Sequence, residues 1–402
     1  MDKPPSVPKS SPAQRSRLLI WAAVVGMLLI AIGVAGWLFF YTGAPSPAAT
    51  PPTSSVTKVP SISSKLMYVG DINWGRYTQR RAEASKLGYD YIMSGIQPSD
   101  RANYDAWIGN FECPVTTRDI PYALQVSALQ FNCRPEYVQT LAKYFTAGSL
   151  ANNHVDNNGG QQGLDETRQS LEVGGIQYFG TYNMTSTDHI CEIIALPAKT
   201  SDGETTSLPV ALCGYMYVVN ARPTDEQLAV MSQYAKVMPV IAMPHMGVEY
   251  RGTAESEKVS AYHRMIDAGA DLVIGAHPHV IQNSESYKGR RIAYSVGNFL
   301  FDQQSVSPET NLALAIDVNL VVPSGTAARI YNKVGDSCKA FKDTCLAKLQ
   351  AEIKTRPSIG VSYNFGCFSI TSGIPVRGTE AQCVKARTAA TVDKLSNLSK
   401  QL

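Results

Sequence analysis

The sequence predicts an α/β layered domain carried behind one N-terminal membrane-spanning helix. Three observations carry that prediction. Short apolar runs with polar ends alternate with segments of helical spacing from residue 65 onward. One uncharged stretch of 24 residues, Leu18 to Tyr41, stands near the start of the 402-residue chain. Side chains of metal-ligand type repeatedly follow the ends of the apolar runs.

The N-terminal elements come first. Residues 1–17 hold Lys3, Lys9, Arg15 and Arg17, and no further Lys or Arg appears until Lys58. That asymmetry places residues 1–17 in the cytoplasm and the bulk of the chain outside. The 18–41 stretch is long enough to cross a bilayer core as a helix. Its length favours an uncleaved anchor over a signal peptide, although "APSPAA" after it leaves processing open. Trp37 and Tyr41 suit the outer interface. Residues 42–64, "TGAPSPAATPPTSSVTKVPSISS", lack apolar periodicity and read as an extended tether. The chain is therefore expected to be a single-pass cell-membrane protein with its main domain extracellular.

At 44% hydrophobic, the chain has ample material for a large core. Residues 1–64 hold five Lys/Arg and one Asp, which leaves 31 basic and 32 acidic side chains beyond, a net of −1. No nucleic-acid footprint follows from that balance. All eight cysteines lie beyond residue 64. An even number on the oxidising side of a membrane points to disulfides, with connectivity open and neighbour pairing the simplest scheme. Zinc is the competing use, but the short two-to-four-residue gaps usual in structural zinc sites are missing.

Within the outer domain, "KLMYVG" (65–70), "YDAWIG" (104–109), "YFTAGSL" (144–150), "PVALCGY" (209–215), "VMPVIAM" (237–243), "DLVIGA" (271–276), "RRIAYSV" (290–296) and "LALAIDVNLVV" (312–322) read as strands. Thr224 and Gln227 form a capping box opening a helix over "DEQLAVMSQYAK". Val259, Tyr262 and Ile266 keep helical spacing in the next segment. Strands interleaved with helices predict α/β layers over 65–325. Residues 326–402 hold four cysteines and weaker strand signals, and read as a disulfide-stapled C-terminal extension.

The polar residues then fall into place. Asp71 follows the first strand, and Asn110 and Glu112 follow the second. Asn152, Asn153 and His154 follow the third, His245 follows "VIAMP", and His277 and His279 follow "DLVIGA". In open α/β sheets, ligands bind in the crevice beyond such strand ends. Each position alone has a plain account as a turn, a cap, a core histidine or a surface carboxylate. Together they are better explained by one site, and four of the six histidines in the chain belong to it. A set of Asp, Glu, Asn and His suits divalent Mn, Fe or Zn rather than a thiolate centre, and its size matches two ions.

"GDI", "NFE", "ANNH", "PHMGVEY", "IGAHPHVIQ" and "SVGNFLFD", in that order, resemble the CapA (PgsA) poly-γ-glutamate capsule biosynthesis family. That family looks like a branch of the calcineurin-like metallophosphoesterases, and the likeness covers roughly residues 65–305. It implies a four-layer α-β-β-α sandwich with two divalent metal ions between its sheets. By the same likeness, Asp71, Glu112, Asn153, His245, His277 and His279 are the expected metal ligands, with Glu112 bridging. His154, with Asp156, is the expected catalytic pair, and Asn73, Asn110, Glu249 and Asn298 are expected on the substrate side. The chain departs from the broader pattern in four places. Asn73 stands where Asp-x-His ends, Glu112 where Asp is usual, and Met246 where Trp is usual. Asn157 stands where an Asp follows the His, with Asp156 one position earlier.

Two functions follow as expectations. One is a capsule factor that handles an anionic polymer of poly-γ-glutamate type alongside polymer-synthase subunits. The other is a metal-dependent hydrolase of phosphoesterase type acting on a cell-surface substrate.

Overall fold

The computed structural model describes residues 59–218, 222–339 and 342–392. All belong to one compact unit, Lys58–Leu402. The expected tail, the 18–41 span and most of the tether lie outside the described residues. Among those described, no helix is long and apolar enough to cross a membrane.

The fold is a mixed α/β sheet built around β1 (Ile62–Ile72). Ile62–Ser64, expected to close the tether, already belong to this strand, and the Ser64 hydroxyl donates to the Pro197 carbonyl at 2.7 Å. On one side β1 runs parallel to β2 (Ala106–Phe111), which is followed by β3 (Ala147–Ser149) and β4 (Gln177–Phe179), all parallel. Also joined are β5 (Cys191–Thr200), β6 (Thr205–Tyr217), β7 (Val240–Met246), β8 (Leu272–Ile274), β9 (Ser284–Tyr287) and β10 (Arg290–Ala293), in the order β5-β6-β7-β8-β10-β9. The start of β1 pairs with β5 through Ile62 and Ser63, so the two halves form one branched sheet of 14 strands. A short strand, β11 (Asn298–Leu300), lies parallel to the end of β1, and β12 (Leu312–Val322) runs antiparallel to its first part.

Period-two alternation explains how one strand serves two cores. Leu66 and Tyr68 of β1, Ile108 of β2, and Leu314 and Ile316 of β12 enter a core shared with β5–β8. Met67 and Val69, Trp107, and Ala313 and Ala315 enter the other. There Trp107 meets Phe145 and Phe299 edge-on at 5.9 and 6.2 Å. Each such pair adds about 0.5–1.5 kcal/mol beyond the area it buries, which anchors the strand carrying Asn110 and Glu112.

Residues beyond 325 are not an appendage. The strand β13 (Gly360–Thr371) pairs with β12 over ten positions, β14 (Ile374–Arg377) follows it, and Phe368 packs on Phe299. The cysteines pair as neighbours: Cys113–Cys133, Cys191–Cys213, Cys338–Cys345 and Cys367–Cys383. The capping box at Thr224 and Gln227 opens the helix Asp225–Ala235.

Candidate metal centre

The C-terminal ends of β1, β2, β3, β7 and β8 converge on one buried cluster. Gly70 makes the convergence of β1 with β11 feasible, because a Cβ there would lie 1.7 Å from the Gly297 carbonyl oxygen. With that close approach, the Asp71 amide donates to the same oxygen at 3.1 Å. Irregular register on both sides of Asp71 turns its side chain toward the cluster, a common use of bulges beside sites. His277 and His279 follow β8 with φ of 93° and 59°, a left-handed backbone that is costly for histidine and is tolerated where a site demands it.

Asp71, Glu112, His245, His277 and His279 are all buried. The His245 Nε2 lies 2.8 Å from Asn153 Oδ1, 3.1 Å from His277 Nδ1 and 3.6 Å from Glu112 Oε1. The His279 Nε2 lies 3.7 Å from the same Glu112 oxygen. Three donor groups bring their ligand atoms within 4.8 Å of one another: Glu112 with His245 and His277, Asp71 with Glu112 and His279, and exposed Glu249 with His277 and His279. Glu112 is common to the first two, as a bridging carboxylate between adjacent ions would be.

The electrostatics point the same way. Burial, then the charge of Asp71, pushes the Glu112 carboxyl well above its ordinary range. Its Oε1 is buried without a hydrogen-bond partner. Burial also opposes the charge of Asp71, but hydrogen bonds and charge from His279, with the Asn110 amide, hold that carboxyl below its usual value. His245 is driven well below the ordinary imidazole range by burial and then by its histidine neighbours. His277 is driven to about 3 by burial and then His279. Neutral imidazoles facing an unpartnered carboxylate oxygen are the donor set a divalent cation satisfies, so the residues fit the metal that the sequence implies.

Three of the residues expected on the substrate side are buried and brace the cluster. The Asn110 Nδ2 donates to Asp71 Oδ1 at 2.8 Å and lies 3.2 Å from His245 Nδ1, while its Oδ1 accepts from Asn152 at 3.2 Å. The Asn73 Oδ1 accepts from the Gly75 amide at 2.9 Å and its Nδ2 donates to the Glu112 carbonyl at 3.3 Å. The Asn298 Nδ2 donates to Gln303 Oε1 at 3.0 Å, which leaves its Oδ1 facing His279 Nδ1 at 2.9 Å. That contact assigns the proton to Nδ1 and frees Nε2 as a ligand. Each amide is thus engaged at both ends inside the protein. Glu249, in contrast, is exposed beside the cluster.

His154 lies over this cluster, stacked at 4.0 Å on Phe131. Its Nδ1 is 2.7 Å from Asn157 Oδ1, so the orienting partner is Asn157 and not the expected Asp156. Asp156 is half-buried, and burial raises its carboxyl. The physical reason is the turn: Gly159 and Gly160 take φ of 95° and 57°, and the Gly160 amide closes on the Asp156 carbonyl at 3.0 Å. Burial lowers His154 to about 4, against the hydrogen bond from Asn157.

Arg76 was not identifiable from the sequence. It is buried, pairs with Asp302, and sets its guanidinium 4.4 Å over the Phe131 ring. The only hint in the chain is a basic residue five positions after Asp71; its partner is 226 residues away.

With this geometry in hand, the relatives are informative. The sequence matches the family described as "Bacterial capsule synthesis protein PGA_cap" over residues 65–303. Capsule biosynthesis protein CapA of Bacillus anthracis is 28% identical over 258 residues, covering 59% of this chain and 60% of that one. PGA biosynthesis protein CapA of Bacillus subtilis (strain 168) is 30% identical over 269 residues, covering 61% and 66%. The chain thus spans 60% to 66% of the length of these two relatives. Among solved structures, the calcineurin-like phosphoesterase YfkN from Bacillus subtilis aligns with a TM-score of 0.41 and 13% identity, covering 84% of this chain and 99% of that one. That last likeness is loose and adds nothing to the assignment. The matched segment takes in more than half of the sequence and every residue of the cluster, and the chain belongs to the bacterial capsule synthesis protein PGA_cap family.

Proposed function

We propose that this chain is a membrane-anchored, surface-exposed factor in the synthesis, export or processing of an anionic capsule polymer of poly-γ-glutamate type. It would act beside polymer-synthase subunits, through a cleft that holds two divalent ions in a four-layer sandwich. The observation that carries the proposal is the buried Glu112 oxygen without a partner, shared by two groups of metal-type donors. The capsule comes from the name of the Bacillus anthracis relative and the polymer from that of the Bacillus subtilis one, a PGA biosynthesis protein. Asp71, Glu112, His245, His277 and His279 would hold the ions, with the Asn153 Oδ1 as a neutral oxygen donor. When bound, Mn, Fe or Zn supplies Lewis acidity and a positive site for carboxylate or phosphate oxygens. Asn110 and Asn298 keep the ligands oriented, and the exposed Glu249 stands at the entrance.

Capsule complementation tests this reading. Asp71→Ala should abolish polymer output while the protein is still present in the membrane. An Asp71→Ala strain with full output would remove the metal cleft from the function. Protease added to intact cells should cut within residues 42–64; resistance until the cells are opened would reverse the topology.

A second reading, metal-dependent hydrolysis, is favoured by His154, whose Nδ1 is engaged with Asn157 and whose Nε2 is left to meet a leaving group. His154→Ala should then keep the metal and lose a factor on the order of 10²–10⁴ in rate. Unchanged polymer output and chain length in that variant would leave binding as the whole role of the cleft.

A further inference from the structure

Beside the cluster lies a groove of about 650 Å³, in the size range of ligand sites. Its walls include Arg76, Arg81, Tyr122, Val126, Tyr250 and Gln303. Among the described residues, thirteen large hydrophobics are strongly exposed, and six of them, Tyr77, Tyr122, Val126, Leu129, Tyr250 and Val306, line this groove. Such concentration in one place marks a binding surface rather than scattered surface residues.

The groove is continuous with the cluster through hydrogen bonds. The Gln303 Nε2 donates to the Tyr250 hydroxyl at 3.3 Å, and its Oε1 accepts from Asn298, which faces His279. The Tyr250 ring lies 6.1 Å from the His279 ring. Three charged side chains line the groove, and Asp302 is engaged by Arg76. Arg81, packed 4.4 Å over the Tyr77 ring, is left as the uncompensated charge. The groove therefore favours an anion. Gln304, Ser305 and Ser372 add amide and hydroxyl groups that an acyl chain would leave unpaired.

We propose that this groove is a chain-binding subsite contiguous with the metal cleft, in which Arg81 takes a carboxylate of an extended polyamide. The apolar walls cover the methylene segments between its charges, and the Gln and Ser side chains meet its amides. The proposal rests on the polymer reading above and deepens it: affinity should depend on chain length, because only a long chain reaches both places.

The test is calorimetric titration of the purified, Mn-loaded full-length protein with γ-glutamyl-glutamate and with a long γ-linked glutamate oligomer. The wild type should bind the long oligomer on the order of tenfold more tightly than the dipeptide. Arg81→Gln should lose on the order of tenfold for the long oligomer, the scale of one charged hydrogen bond. Val126→Glu, at an exposed position where misfolding is not at issue, should lose affinity through charge repulsion. Elemental analysis confirms that each variant keeps its metal. If both variants bind the long oligomer as the wild type does, the groove proposal falls and the polymer reading stands. If the metal-loaded wild type binds neither oligomer, both fall. If the variants instead lose binding to anionic lipid vesicles alone, the occupant is a lipid and the proposal is overturned.

Discussion

Glu112→Gln should act in opposite directions on the metal-free and metal-loaded protein. Glu112 is fully buried beside Asp71, and its Oε1 has no hydrogen-bond partner. Without metal, a neutral amide removes the like-charge contact with Asp71 and relieves about 1 kcal/mol, the low end of the cost of a buried unpaired group, because the amide still leaves a polar atom without a partner. For a domain of this size, that raises the unfolding midpoint by about 1–2 °C. With metal at about a hundred times its Kd, the wild type gains about 2.7 kcal/mol by linkage. Loss of the shared carboxylate weakens affinity by at least the roughly 10–100-fold that an orienting partner costs, which removes about 1.3–2.3 kcal/mol of that gain and exceeds the relief in chelator. The two melting curves should therefore cross: the variant is the more stable in chelator and the less stable in excess Mn or Zn. The sign of the pH effect follows from the raised carboxyl. The folded state keeps the Glu112 proton longer than the unfolded chain, so the contribution of Glu112 to stability falls as pH rises past 4.5, and the difference between variant and wild type in chelator widens with it. Differential scanning fluorimetry across pH, with and without metal, measures all of this. A variant less stable than wild type in chelator, or one that keeps the full metal increment, would refute the reasoning.

Three further outcomes are expected. Asn298→Ala should weaken metal affinity about 10–100-fold in a competition titration, because it removes the acceptor that orients the ring of His279, and should also lower the unfolding midpoint in chelator by leaving its buried partners unpaired. Below pH 6.5, the metal-free protein should lose stability as pH falls toward 4 and then 3, since His154 and His277 stay neutral when folded and protonate when unfolded; His277→Gln should flatten part of that slope in the same melts. Replacing Cys113 and Cys133 by serine should cost about 2–4 kcal/mol in denaturant unfolding, and should loosen the Phe131 ring that stacks on His154.

What could be read from the chain divides by range. The capping box at Thr224 is a pattern four residues long and was legible, as was β12, whose eleven residues coincide with the apolar run Leu312–Val322. The strand β5 was not, because Glu192, Pro197 and Lys199 interrupt its apolar pattern; it is stabilised by pairing with β6 along nine positions. Metal-type side chains announce themselves by chemistry, and those at 71, 112, 245, 277 and 279 come together as expected. An amide does not. Whether Asn110 meets substrate or a ligand depends on His245, 135 residues away, and Asn298 depends on Gln303 as well as His279. The pairing of Arg76 with Asp302 spans still more of the chain.

The use of amides around this cluster has a physical logic that bears on function. Asn110, Asn298 and Asn157 each orient an imidazole or a ligand, a task carboxylates often perform in metal sites. A carboxylate at any of these positions would add charge to a buried site that already holds Asp71 and Glu112, and like charges at short range in low dielectric are expensive. The amides orient without adding to that repulsion, so the negative charge is concentrated on the two groups that would face the cations. The same economy reaches His154. Its partner Asn157 fixes the ring but supplies no charge to stabilise an imidazolium, and burial already lowers its affinity for a proton. A site arranged in this way keeps its affinity for cations and for the anions they attract. It would make proton transfer by His154 depend on charge brought in by a substrate, and this is why polymer binding is proposed ahead of hydrolysis for this cleft.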